Sequence, residues 1–267
     1  IGVAVSPVNS NRLYAMIENA KGGLYRSDDA GEHWQLINED KNLWQRPWYY
    51  MNLQTLPDNE NGLIVLNVNS FKSVDGGKTF SRINVHHGDT HDVWVNPKNA
   101  DNFIIADDGG GEVTYNGGAT FSEVDIPTAQ FYHISVDNDF PYNVYGAQQD
   151  NSSIRIASRT DGFSIGKDAW YPVAGGEAGY IVSDPNNPKI TFGGEYDGQI
   201  TKHNAETNQD QDVSFYPERW MGNSSANRKY RFQWTYPIVF SPHDPNTLYA
   251  TAQVVFRSRD EGMSWEI

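Results

Sequence analysis

The sequence predicts an all-β chain of six consecutive four-stranded antiparallel sheets, the blade pattern of a β-propeller, and three observations carry that expectation. A polar turn spelling returns along the chain at blade-length intervals. A second landmark, a turn rich in Pro, Asn and Asp between two short apolar alternations, returns in step with it. Helical periodicity is absent over any useful length, which disfavours the helical repeats of similar period.

The turn reads "SDDAGEHW" at 27–34, "SVDGGKTF" at 73–80, "TYNGGATF" at 114–121 and "SRDEGMSW" at 258–265. From Ser27 to Ser73 is 46 residues, from Ser73 to Thr114 is 41, and from Thr114 to Ser258 is 144, or three steps of 48. Two middle units therefore keep the length without the spelling. The second landmark occupies 6–16, 56–66, 96–106, 136–146, 183–193 and 241–251, and it has the form of a hairpin. Six units result, at approximately 1–38, 48–84, 90–125, 131–173, 179–216 and 235–267. No low-complexity segment divides them, so they read as one propeller domain or as part of a larger ring.

In the first copy of the turn, Asp29 is placed to accept hydrogen bonds from N–H groups two or three residues on. Gly31 takes the positive φ, and Trp34 packs between neighbouring sheets. Asp75, Gly77 and Phe80 repeat the pattern, as do Asp260, Gly262 and Trp265, behind Ser73 and Ser258. Asn116, Gly118 and Phe121 form the weakened copy. This chemistry is that of a structural staple rather than a metal or catalytic carboxylate. On these residues the chain resembles the Asp-box propellers, whose turn is also called the bacterial neuraminidase repeat. With "HHGDTHDVWVNP", "YGAQQDNS", "GGEAGYI" and "KYRFQWTYPIVFSPHDPN" it is similar to their bacterial sortilin-like and glycosyl-hydrolase-like members. The resemblance implies a propeller in a secreted, periplasmic or cell-surface setting, without fixing an activity.

Composition narrows the partners. A net charge of -14 repels phosphate backbones, and no basic run offers a local exception, so nucleic acid is excluded. No apolar run is long enough to span a membrane, and the absence of cysteine removes disulfides and thiolate metal sites. The opening "IGVAVSP" reads as a strand and shows no export signal.

Strand parity locates the recognition surface. In a four-stranded antiparallel blade, the turns between strands one and two and between strands three and four share one end. The loops between strands two and three, and those joining blades, share the other. That loop end collects carboxylates, amides and rings suited to a neutral or cationic, hydroxyl-rich ligand, a glycan or a peptide. Its candidate binding residues are Arg46, Trp48, Tyr50, His87, His91, Asp107 and Asp108 in the first half of the chain. In the second half they are Gln148, Gln149, Asp150, Tyr180, Glu195, Tyr196, Arg231 and Trp234. Asp92 and Glu177 are the candidate catalytic carboxylates should the protein be a glycoside hydrolase similar to the oligoxyloglucan-cleaving propellers. No cofactor is expected, although His86, His87, Asp89 and His91 have the ligand types for a divalent metal. A scaffold for protein interaction, and further repeats of the same longer chain as partners, complete the alternatives. Sialidase chemistry is disfavoured, because "Arg-Ile-Pro" is absent and the loop arginines are only Arg46, Arg219, Arg228 and Arg231.

Overall fold

A computed structural model describes residues 1–122, 129–216 and 224–267. Arg219 lies outside the described residues.

The chain is all-β, and its sheets follow one another as propeller blades. The first blade is β1 (Gly2–Val5), β2 (Leu13–Ile17), β3 (Gly23–Ser27) and β4 (Gln35–Asn38). The second is β5 (Asn52–Thr55), β6 (Leu63–Leu66), β7 (Ser70–Ser73) and β8 (Ser81–Ile83). The third is β9 (Thr90–Val95), β10 (Phe103–Asp107) and β11 (Gly110–Thr114). The fourth is β12 (Phe131–Val136), β13 (Asn143–Gln148), β14 (Ser153–Ala157) and β15 (Trp170–Pro172). The fifth is β16 (Ile181–Ser183), β17 (Ile190–Glu195), β18 (Gln199–Asn204) and β19 (Gln209–Asp212). The sixth is β20 (Ile238–Phe240), β21 (Leu248–Thr251) and β22 (Val255–Ser258). Every strand pairs antiparallel with the next in its blade. In the third and sixth blades, isolated bridges Val113↔Ser122 and Arg257↔Glu266 stand where a fourth strand would run. No helix among the described residues is long and apolar enough to cross a membrane.

The chain divides into two compact units of three blades each, residues 1–127 and 128–267. Within each unit, apolar layers fill the space between successive blades. The run Leu63–Leu66 is buried on both sides because its alternating side chains serve two layers. Leu63 and Val65 join Tyr14, Met16 and Leu24 of the first blade. Ile64 and Leu66 join Val93, Phe103 and Ile105 of the third. In the second unit Ile190, Phe192 and Ile200 meet Tyr236, Ile238 and Leu248. Each such aliphatic or aromatic side chain stabilises the fold by about 1.5–3 kcal/mol relative to exposure.

The repeated turn closes differently from the sequence expectation. The Ser73 hydroxyl donates to Asp75 Oδ1 at 2.9 Å and accepts the N–H groups of Asp75 at 3.4 Å and Gly77 at 3.0 Å. With the Gly77 N–H taken by Ser73, the Asp75 carboxylate reaches four residues on, to the Thr79 N–H at 3.0 Å, and the Lys78 N–H three residues on also bonds to it. Ser27 with Asp29, Thr114 with Asn116, and Ser258 with Asp260 repeat this geometry. Gly77 sits at φ +85°, where a Cβ would stand 2.3 Å from Leu24 Cδ2, so both the turn and the neighbouring blade require glycine. A second correction concerns Trp34. It is 41% exposed, whereas Phe80, Phe121 and Trp265 pack on interblade layers.

A backbone bond ties three of these four turns to the hairpin turn of their own blade: Ala30 N–H to Asn11 O, Gly76 to Asn61 and Gly117 to Asp101, each at 2.9 Å. The fourth and fifth blades, which lack the spelling, keep the bond through Ser158 to Tyr142 and Ala205 to Lys189. Both turn sets therefore lie at one end of each sheet, and the remaining loops lie at the other.

Candidate functional site

In the second unit, close backbone approach builds the loop end. The 173–180 segment runs directly over β17, with Gly176 N–H bonded to Gly194 O at 3.2 Å and Gly194 N–H to Tyr180 O at 2.9 Å. A Cβ on Gly193 would fall 2.1 Å from Ala174 O, and one on Gly176 would strike Glu195 Cδ at 2.3 Å. The glycines of "GGEAGYI" and "GGEYDGQ" are thus what allow Glu177 and Glu195 to lie beside one another.

Glu177 Oε2 accepts the Asp150 N–H at 2.8 Å and Gln149 Nε2 at 3.4 Å. Gln149 Nε2 also donates to Asp150 Oδ1 at 2.8 Å. Burial raises Glu177 above the ordinary carboxylate range; hydrogen bonding to and repulsion from the Asp150 carboxyl add to it, as does repulsion from Glu195, and the Asp150 N–H offsets part. Asp150 is itself in the left-handed region at φ 57°, a conformation aspartate tolerates better than most residues.

An aromatic wall adjoins these carboxyls. Tyr196 and Trp234 stack with centroids 4.9 Å apart at 17°, and Trp234 is 48% exposed. The indole N–H donates to the Tyr132 hydroxyl at 3.1 Å, and that hydroxyl donates to Gln149 Oε1. A continuous path therefore runs from ring to amide to carboxylate. Tyr196 is raised by burial and then by the negative charge of Glu195, Glu177 and Asp197. Asp197 is held by Arg228 at 3.1 Å. Tyr180 stacks on His133, 3.9 Å between centroids. Gln148 holds the 148–152 turn through its backbone, and the Arg231 N–H donates to Gln253 Oε1 at 2.7 Å.

In the first unit the same loop positions are occupied by pairs of opposite character. His91 Nε2 meets Asp108 Oδ1 at 2.6 Å, and Arg46 lies 3.3 Å from Asp89, which also accepts the Tyr50 hydroxyl. Burial, then Asp89, raises Tyr50. Trp48, Tyr49 and Tyr50 lie in or beside a turn closed by Tyr49 and Tyr50 N–H groups on Arg46 O, both 3.0 Å, not in a strand. Tyr50 is buried, while Trp48 and Tyr49 are exposed. Glu112, 4% exposed, accepts the His86 N–H at 2.6 Å and faces His86 Nδ1 at 2.9 Å. His87 Nδ1 turns to Gly88 O at 3.0 Å. The four residues with metal-ligand chemistry thus each have a different partner, and among the described residues no three His, Asp or Glu side chains converge as ligands. Asp107 is raised, chiefly by burial, and Asp92 Oδ1 accepts the Val93 N–H at 2.8 Å.

Sequence reasoning placed Tyr132 and Glu112 within loop-end segments, 127–133 and 106–112, without naming either as a site residue. Tyr132 had no motif to mark it, only its place at the loop-end start of a blade's first strand. The signal for Glu112 was an acid in register with the apolar Ile105.

No family model matches the chain, and no curated protein matches it. Among solved structures it is similar to a GH74 enzyme from Niastella koreensis, with 15% identity and a TM-score of 0.36 over 99% of this chain and 46% of that one. It is similar also to YCF48 from Cyanidioschyzon merolae, with 17% identity and a TM-score of 0.35 over 99% and 83%. A GH74 xyloglucanase from Xanthomonas campestris gives 14% identity and a TM-score of 0.36 over 99% and 44%. The chain spans a little under half the length of these GH74 structures.

Proposed function

We propose that the protein is an Asp-box propeller, secreted or displayed at the cell surface, that binds a neutral or amine-bearing glycan on the loop end of its second unit. The observation that carries this reading is the Tyr196–Trp234 stack bonded through Tyr132 to the Gln149, Asp150 and Glu177 cluster. A half-exposed indole stacks on the apolar face of a pyranose, and an amide beside a carboxylate engages adjacent hydroxyls in pairs. The excess of negative charge suits hydroxyl donors and ammonium groups and opposes uronates and sialic acids.

A hydrolase is the second reading, favoured by the raised Glu177. Against it, Glu177 is held by the Asp150 N–H at 2.8 Å, so the neighbouring Asp150 carboxyl lies beside it rather than across a cleft, where a glycosidase pair would stand.

The test is calorimetric titration with soluble cello-, xyloglucan-, manno- and chito-oligosaccharides, alongside an assay for released reducing ends. Binding without release is expected, and Trp234→Ala weakens it about tenfold, the scale of a lost ring stack. No binding by any of the set, or binding indifferent to Trp234→Ala, overturns the proposal. Release abolished by Glu177→Gln replaces it with the hydrolase.

A further inference from the structure

The first unit carries a cavity that the proposed site does not use. It lies between β5 and β9, the first strands of the second and third blades, with a volume of about 320 Å³. Asn52, Gln54, His91 and Asp92 supply its polar wall, and Leu53 and Val93 are among its apolar lining. The amide of Asn52 is fixed by donation to His91 O at 2.5 Å, and His91 is fixed by Asp108.

A ledge of rings stands against the same histidine. Tyr50 and Tyr49 approach the His91 ring with centroids 4.7 Å and 6.0 Å away, and Trp48 continues the row, 5.9 Å from Tyr49. The inner member is anchored, since Tyr50 is buried and bonded to Asp89. The outer members are bare, with Trp48 76% and Tyr49 64% exposed. A rigidly backed ring left open to water beside a polar cavity is the arrangement that stacks one sugar ring while its neighbour is hydrogen-bonded. Amide, carboxylate and imidazole groups together can meet hydroxyls as donors and as acceptors.

We propose that this ledge and cavity form a second saccharide subsite, independent of the one in the second unit, which takes a neutral oligosaccharide of at least two pyranose rings. One ring lies on Trp48, and the next enters the cavity, where Asp92, Asn52 and Gln54 bond its hydroxyls. β-1,4-linked glucose fits this chemistry because its equatorial hydroxyls leave both ring faces apolar. The ligand class is shared with the proposed function, and the two sites share no residue.

The experiment is titration of the intact chain with cellotetraose, read by calorimetry for stoichiometry and by tryptophan fluorescence. The wild-type chain is expected to bind two equivalents. Trp48→Ala and Asp92→Asn each remove one, with affinity at that site falling about tenfold or more, and Trp48→Phe retains it to within about threefold. Because Trp48 is exposed, its replacement leaves the fold intact, which the far-UV spectrum checks. A single equivalent lost in Trp234→Ala and untouched by Trp48→Ala overturns this inference and leaves the proposed function standing. A single equivalent lost in Trp48→Ala and untouched by Trp234→Ala supports this inference and removes β-1,4-linked glucose from the ligands of the second unit. Absence of any cellotetraose binding, or indifference of both equivalents to Trp48→Ala, overturns it outright.

Discussion

The second and fourth blades have the same strand order but latch themselves at different corners. In the second, the side-chain latch is in the turn between strands three and four, where Ser73, Asp75 and Thr79 close on each other. In the fourth, that turn has lost its spelling and the latch is in the hairpin turn between strands one and two. There Asp137, 7% exposed, accepts the Tyr145 hydroxyl and Asn143 Nδ2, both at 2.7 Å, and the Asn143 N–H at 2.9 Å. The backbone bond between the two turns survives in both blades. The second blade thus closes its turn end chiefly at one corner and the fourth at the other, whereas the sixth has side-chain bonds at both. The loop end varies independently, since the unspelled fourth and fifth blades carry Asp150, Glu177 and Glu195.

The comparison breaks most severely at Gly77. Alanine there places a Cβ 2.3 Å from Leu24 Cδ2 at a φ of +85°, so overpacking and backbone strain act together. Destabilisation of about 3–4 kcal/mol is expected in urea unfolding. Asp137→Ala follows. It leaves the buried Tyr145 hydroxyl and the Asn143 donors without their acceptor, for a loss of about 2–3 kcal/mol. An Asp137→Ala loss below that of Ser73→Ala would show that the hairpin carboxylate does not stand in for the turn latch. Ser73→Ala itself deprives the buried Gly77 N–H of its partner and is expected to cost about 1–2 kcal/mol by the same measurement.

These magnitudes also explain what was legible in the sequence. The turn is readable because its requirements are local: a hydroxyl, a carboxylate two residues on and a glycine two beyond that suffice to specify it. The double-sided burial of Leu63–Leu66 is equally visible as an uninterrupted apolar run. The reach of Asp75 to Thr79 was not visible because the Ser73 hydroxyl competes for the Gly77 N–H, and the exposure of Trp34 because packing against another blade is not a local property. The candidate site was legible as a set of loops but not as a geometry. Nothing in "GGEAGYI" or "QFYH" says that Gly176 makes room for Glu195, or that Tyr132 joins Trp234 to Gln149. Such contacts cross blades, and residue spacing carries no information about them.

The smallest effect expected is also the sharpest, because the third blade already contains its control. Hydrogen bonds from Thr79, partly offset by the little burial there is, hold Asp75 at about 2, and bonds from His33 hold Asp29 at about 2. A carboxylate depressed in the folded state stabilises it above the unfolded value, near about 4, and that contribution fades as pH falls from there through about 2. In the third blade Asn116 makes the same bond to Thr120 N–H, at 3.0 Å, and its Nδ2 donates to Thr120 Oγ1 at 2.8 Å, with no proton to gain. Asp75 faces a threonine at the matching position, so Asp75→Asn should reproduce the amide latch. The variant should differ little from wild type at pH 7 and lose less stability between pH 5 and pH 2, as read by urea unfolding at each pH. Identical pH slopes for the two proteins would show that the carboxylate latch contributes nothing in the folded blade.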